Sequence, residues 1–152
     1  MTDLVDTERS VPVRDFHCLP GDTPWRDNVL EPGEIITAVT LPAPVGGTQL
    51  YRKVRERSSY AFALVSVAAI VEMQDGVFTR ADLSFGGLAH KPWHDPRIAQ
   101  ALVGNAPSAQ LFDRAADILL EEAQGHGEND FKIPLARRTL HAVLEQASEN
   151  AA

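Results

Sequence analysis

The feature that most constrains the fold is a pair of strand-like segments joined by a tight turn in the middle of the chain. Residues 64–73 are mostly apolar, and residues 77–86 place their apolar side chains mainly on one side. Asp75-Gly76 lies between them, and Asp-Gly is a strong hairpin signal because glycine adopts a positive φ without a Cβ penalty. The sequence therefore predicts an antiparallel hairpin whose first strand is buried on both faces for part of its length.

The segment before this hairpin predicts extended structure. Proline and glycine recur throughout residues 1–47, a pattern that favours turns and short extended pieces over helices. Within it, residues 10–13 are a possible strand, and residues 34–41 are a stronger one because they are rich in β-branched side chains. Residues 50–54 predict a further short strand next to the hairpin.

The segment after the hairpin predicts three helices. Asp95 precedes Pro96, so a capping residue stands before a proline that suits the first helical turn. Ser108 is a good cap for a second helix, whose apolar residues up to position 123 follow helical spacing. A third helix begins near Pro134. The predicted fold class is α+β, with a small antiparallel sheet of three to four strands packed against a C-terminal three-helix cluster.

Composition excludes several classes of function. The formal net charge of -7 argues against general nucleic-acid binding. A single cysteine, Cys18, can form neither an intrachain disulfide nor a thiolate metal site, and the five histidines lack metal-ligand spacing, so no metal site is predicted. The longest apolar stretch, residues 61–71, is too short to span a bilayer, and residues 1–10 do not resemble a signal peptide. We therefore expect a cytoplasmic protein without membrane or nucleic-acid partners.

One stretch, residues 51–62, combines cationic and aromatic side chains. Four of its residues are Lys or Arg against a single Glu, and Tyr60 follows them. Such a set suits a flavin or nucleotide, because cations favour phosphate or the negative edge of a reduced flavin and an aromatic ring can stack on it. The alternative is an exposed edge strand that carries charges to stay soluble. Ser58 and Ser59 have no base or oxyanion site beside them, so we predict no catalytic residue.

Four collinear stretches, residues 15–42, 51–69, 85–93 and 131–140, resemble the C-terminal part of the FAD-binding subunit of molybdenum hydroxylases. This family comprises xanthine dehydrogenases, aldehyde oxidoreductases and CO dehydrogenase flavoproteins. The resemblance implies two parts: residues 1–47 as the tail end of an FAD-binding domain, built of extended strands and turns, and residues 48–152 as a CO dehydrogenase flavoprotein C-terminal-like domain.

The resemblance also implies a cofactor, partners and site residues. In the family, electrons pass from a molybdopterin-binding subunit through an iron–sulfur subunit to FAD and then to an external acceptor. Lys53 matches the lysine of the family's Y-x-K strand, and Arg57 and Tyr60 occupy the loop near the flavin ring. Tyr60 would be the aromatic neighbour of the ring, and Lys53 and Arg57 would tune its charge. Residues 35–41 would form an edge that the flavin approaches.

The sequence departs from the family in one respect. The Gly-rich loops that hold the FAD pyrophosphate belong to the family's N-terminal half and are not among these 152 residues. Backbone N–H groups in such turns normally bind the phosphates. We therefore expect the chain alone to bind little FAD and to be inactive without an N-terminal FAD-binding half. The alternative is a truncated, non-catalytic assembly module that docks on partner subunits or self-associates as a homo-oligomer.

Overall fold

The computed structural model describes residues 8–151, which divide between Leu41 and Pro42 into two compact units. The predicted domain boundary at residues 47 and 48 stays a prediction. Residues 1–7 and residue 152, which belong to the two predicted domains, lie outside the described residues.

The first unit has little regular structure. It contains one short helix, α1 (Val13–Phe16), and an isolated antiparallel bridge between His17 and Asn28. None of residues 8–41 is buried. The unit is therefore held together by turns and polar contacts, without a hydrophobic core of its own.

Both strands predicted in this unit are wrong. Residues 10–13 do not form a strand because Pro12 leads directly into α1, which begins at Val13. Residues 34–41 form no strand because a strand needs a neighbour for its backbone hydrogen bonds, and no described segment pairs with them. β-branched composition alone does not supply that partner.

The second unit is built on an antiparallel sheet of three strands in the order β1 (Thr48–Val54), β2 (Val65–Gln74) and β3 (Val77–Gly86). The predicted hairpin is confirmed. Asp75 and Gly76 both have positive φ, 52° and 77°, as a two-residue turn between twisted strands requires. A register shift between Glu72 and Met73 marks a β-bulge just before the turn.

Two helices pack on one face of the sheet, α2 (Pro96–Leu102) and α4 (Lys132–Ala151), and a third, α3 (Ala109–Leu120), packs against both of them. The predicted caps are in place, since the Asp95 side chain accepts a hydrogen bond from the Arg97 N–H and the Ser108 hydroxyl accepts one from the Leu111 N–H. The core lies between the helices and the sheet. Its largest fully buried side chains are Phe78, Phe85, Ile98, Leu102, Leu140 and Leu144.

The predicted α+β class is confirmed, and the three predicted C-terminal helices are α2, α3 and α4. The helix α1 is an addition that the sequence did not predict. None of the helices among residues 8–151 combines the length and apolar character that crossing a membrane requires.

Candidate functional site

Strand β1 has one face toward the helices and one face toward solvent. Leu50, Arg52 and Val54 are partly buried, and Arg52 Nη2 donates a 2.9 Å hydrogen bond to Gln146 Oε1 on α4. Successive side chains of a strand point to opposite faces. Tyr51 therefore belongs to the other face, with 67% of its surface exposed, and so does Lys53. We call this second face of the sheet the outer face.

Small residues lie opposite Tyr51 and Lys53 on the outer face. The register places Lys53 opposite Ser66 and Ser66 opposite Gly86, while Tyr51 lies opposite Ala68. A Cβ added to Gly86 would come within 2.5 Å of Ser66 Oγ, so a larger residue at position 86 would meet that hydroxyl. The cross-strand neighbours of Tyr51 and Lys53 on β2 are consequently small, and the neighbour of Lys53, Ser66, is itself buried.

These small neighbours were not predicted from the sequence. The small residues on β2 and β3 are ten or more positions apart in sequence, and they become neighbours only through the hairpin register. The Asp-Gly turn would not have identified them, because the β-bulge between Glu72 and Met73 shifts the register by one residue beyond the pairing that the turn sets.

The loop after β1 presents an exposed aromatic ring. Tyr60 is 94% exposed and has a φ of 51°, in the left-handed region that non-glycine residues seldom adopt. Arg57 Nε donates a 3.0 Å hydrogen bond to the Tyr60 carbonyl oxygen, and Arg57 Nη2 donates to the same oxygen. The guanidinium carbon of Arg57 lies 5.9 Å from the centroid of the Tyr60 ring, within cation–π range.

Two of the three predicted site residues are thus in contact, Arg57 with Tyr60. Lys53 is exposed on the outer face, in the strand that leads into this loop. Among the described residues, Lys53 has no hydrogen bond or ion pair that links it to Arg57 or Tyr60. Phe62, two residues beyond Tyr60, is 97% exposed and adds a second aromatic ring to the loop.

The cations of this region are not neutralised by local partners. Within residues 8–151, no ion pair involves Lys53, Arg55, Glu56 or Arg57. The positive charge of Lys53, Arg55 and Arg57 therefore faces solvent, where it can attract an anionic group.

A glycine-containing loop precedes α4, and helix N-termini of this kind can bind phosphate groups. The N–H of His126 donates to Asn129 Oδ1 and the N–H of Gly127 donates to Asp130 Oδ1, both at 2.9 Å. The side chains of Asn129 and Asp130 thus already accept hydrogen bonds from these backbone N–H groups, and the Asp130 acceptor is a carboxylate. This loop does not fit a pyrophosphate. Among the described residues, His, Cys, Asp and Glu also form no group of three that could hold a metal ion.

Comparison with known proteins gives one family match and several relatives. Residues 36–147 match the family model described as the CO dehydrogenase flavoprotein C-terminal domain. The aldehyde oxidoreductase FAD-binding subunit PaoB of Escherichia coli (strain K12) is 48% identical over 143 residues, which cover 94% of this chain and 42% of that protein. The carbon monoxide dehydrogenase medium chain of Afipia carboxidovorans (strain ATCC 49405 / DSM 1227 / KCTC 32145 / OM5) is 26% identical over 129 residues, covering 80% of this chain and 44% of that protein.

A solved structure shares the fold. A chain of the Cu,Mo-CO dehydrogenase in its cyanide-inactivated form superposes with a TM-score of 0.76 at 24% identity, covering 91% of this chain and 48% of that one. The chain therefore spans less than half the length of each of these relatives.

Proposed function

This chain belongs to the CO dehydrogenase flavoprotein C-terminal domain family, as the C-terminal part of an FAD-binding subunit of the molybdenum hydroxylase type, and we propose that it forms one wall of the flavin site. In this role it acts in electron transfer from molybdenum and iron–sulfur centres to an external acceptor. The observation that carries the proposal is the exposed Tyr60 ring with the Arg57 guanidinium 5.9 Å from its centroid, in the loop that follows the strand of the exposed Lys53.

The residues fit the ring of a flavin. A Tyr ring with 94% of its surface exposed is free to stack on a flat aromatic ligand. Lys53 and Arg57 supply positive charge that favours the negative N1–C2=O edge of a reduced isoalloxazine. Tyr51 and Lys53 are exposed, so the part of the outer face that they occupy is accessible from solvent. In our proposal Tyr60 orients the ring, Lys53 stabilises charge along its edge, and Arg57 contributes through its contact with Tyr60.

Two glycine-containing segments of this chain do not fit the pyrophosphate of FAD. The glycine loop before α4 is closed by Asn129 and Asp130, and Gly86-Gly87 ends a strand without leading into a helix. The phosphates must then be held by an N-terminal FAD-binding half of the subunit. When bound, FAD accepts an electron pair and can pass electrons on one or two at a time.

The proposed partners are that N-terminal half, a molybdopterin-binding subunit and an iron–sulfur subunit. A docking role is supported by the exposed apolar side chains of the first unit. Ile35, Val39 and Leu41 are each more than three-quarters exposed, although burial of such side chains normally stabilises a protein. The β-branched residues 34–41 also lack a strand partner in the described chain, so they are suited to pairing with the edge of another sheet.

A second candidate function is an assembly module that binds partner subunits without contributing to a flavin site. The same exposed apolar side chains of the first unit favour it, because contiguous exposed apolar surface marks interaction sites. The two functions differ in one respect: only the first requires residues of the loop after β1 to affect the flavin.

The test is substitution in a complex of this chain with the N-terminal half, loaded with FAD. Tyr60→Ala and Lys53→Ala are each expected to change the flavin fluorescence yield or the reduction potential. Phe131→Ala, which removes another partly exposed aromatic ring outside the proposed site, serves as the control and should change neither. Unchanged flavin properties in both site variants would remove these residues from the site and favour the assembly module.

A further inference from the structure

The conformation of Tyr60 is costly and is not maintained by packing. Its φ of 51° lies in the left-handed region, where the Cβ of an L-residue crowds the following carbonyl oxygen. With 94% of its surface exposed, the side chain gains almost nothing from burial. Strained backbone persists only where neighbouring groups determine it, and it is often found at functional sites. Some local contact must therefore hold this residue.

Resting on the proposed function, we infer that Arg57 is a positioning residue that holds Tyr60 in its flavin-facing conformation. Two N–H groups of its guanidinium donate to the Tyr60 carbonyl oxygen, one of them at 3.0 Å. The same guanidinium lies over the Tyr60 ring, 5.9 Å from its centroid. One planar group thus fixes both the backbone and the ring of the same residue, which the point charge of a lysine does not do in the same way.

The consequence for a ligand is preorganisation. A ring already held in place stacks on a planar ligand without the entropy cost of ordering a mobile side chain. Because the guanidinium is engaged by Tyr60, Arg57 influences the flavin through Tyr60. Arg55 is the matched comparison, since it is also a loop arginine but makes no hydrogen bond within residues 8–151.

The first experiment uses the purified chain without flavin and measures backbone order at Tyr60 by ¹⁵N relaxation. In the wild type, the order parameter of the Tyr60 amide should be near that of rigid backbone, about 0.85. Arg57→Ala should lower it below about 0.6, the range of flexible segments. Arg55→Ala should leave it at the wild-type value. A mobile Tyr60 in the wild type, or an order parameter that Arg57→Ala does not change, would overturn the inference.

The second experiment uses the FAD-loaded complex with the N-terminal half and measures the flavin absorption spectrum. A positioning role predicts that Arg57→Ala shifts the spectrum in the same direction as Tyr60→Ala and adds no shift in the Tyr60→Ala background. A shift that persists in that background would mean that Arg57 acts on the flavin directly, which overturns the positioning role and leaves the proposed function intact. Loss of order in the chain alone with no spectral change in any variant would support the positioning role and contradict the flavin site.

Discussion

At the scale of single residues, one ion pair organises the first unit. Arg9 binds the Glu34 carboxylate through two N–H groups, Nε to Oε1 at 2.8 Å and Nη2 to Oε2 at 2.6 Å, and Nη2 also donates to the Val29 carbonyl oxygen. The hydrogen bonds from Arg9, followed by one from the Glu31 N–H, lower the pKa of Glu34 to about 2. With no buried residue among 8–41, this contact ties together segments 25 residues apart in sequence.

The ion pair predicts that the stability contributed by Glu34 depends on pH only in the acidic range. A carboxyl whose folded pKa is depressed contributes stability above its unfolded pKa, about 4.3, and that stability is lost as the pH falls through the folded value, about 2. An NMR titration of the Glu34 side chain should therefore have its midpoint near 2. Arg9→Gln should return the midpoint toward about 4.3, and Arg14→Gln should leave it unchanged. An ordinary midpoint in the wild type would contradict the pairing.

Gly87 is a second position where one residue decides local structure. Its φ is 77°, and an added Cβ would meet the Leu64 carbonyl oxygen at 2.7 Å and the Ala63 carbonyl oxygen at 3.1 Å. These are backbone atoms, so they cannot move aside as the end of a flexible side chain could. The close approach of the end of β3 to the segment before β2 therefore depends on the absence of a side chain.

We expect Gly87→Ala to lower the free energy of unfolding by about 1–2 kcal/mol or more, from left-handed strain plus the steric clash. The measurement is urea unfolding followed by circular dichroism. Gly46→Ala is the control, because a Cβ there meets only Glu72 Oε1 at an ordinary 3.6 Å. Equal effects of the two substitutions would refute the steric argument.

At the scale of elements, α2 depends on its cap because it has only seven residues. Asp95 accepts a hydrogen bond from the Arg97 N–H at 2.9 Å, and its carboxylate also pairs with the Arg97 guanidinium, which reaches Glu121 beyond α3. The hydrogen bonds from the Arg97 side chain lower the pKa of Asp95. A short helix forms few intrahelical hydrogen bonds, so the contacts at its ends contribute a large share of its stability.

Asp95→Ala is expected to destabilise the protein by about 1 kcal/mol, within the usual range for loss of an N-cap. Asp95→Asn keeps an oxygen that can cap the helix and should lose less, and the comparison separates capping from charge. Thermal unfolding of the three proteins at neutral pH provides the test. The cap assignment fails if the asparagine and alanine variants are equally destabilised.

The elements that the sequence predicted correctly carry local signals. The β2–β3 turn requires positive φ at Asp75 and Gly76, and α2 and α3 begin at residues whose side chains satisfy nearby N–H groups. Residues 34–41 carry strand propensity without such a signal, and strand formation depends on a distant partner that composition does not reveal. Local chemistry therefore predicts turns and caps well, while strand pairing needs tertiary information.

The candidate site was likewise predictable from the sequence only in part. Residue types and the family resemblance indicated Lys53, Arg57 and Tyr60, and that assignment stays a prediction. The contact between Arg57 and Tyr60 was not predictable, because tyrosine gives no signal for a positive φ. The pairing of the small residues Ser66 and Gly86 was not predictable for a different reason, since they become neighbours only through the hairpin register and its β-bulge.

At the scale of the whole molecule, charge is unevenly distributed. The chain carries a formal net charge of -7, yet residues 52–57 contain four cations and one carboxylate. An excess of one sign at a local site attracts an oppositely charged group even when the total charge is of the other sign. The distribution favours a small anionic ligand at the loop after β1 over an extended polyanion.

The most direct test of the account is a titration of FAD against three samples: this chain, the N-terminal FAD-binding half, and the two together. We predict that this chain alone binds no stoichiometric FAD, because Asn129 and Asp130 already occupy the backbone N–H groups of the glycine loop before α4. We also predict that the two halves together bind FAD more tightly than the N-terminal half alone. Stoichiometric FAD on this chain alone, or an FAD affinity and flavin spectrum of the N-terminal half that do not change when this chain is added, would contradict the claim that it forms one wall of the flavin site.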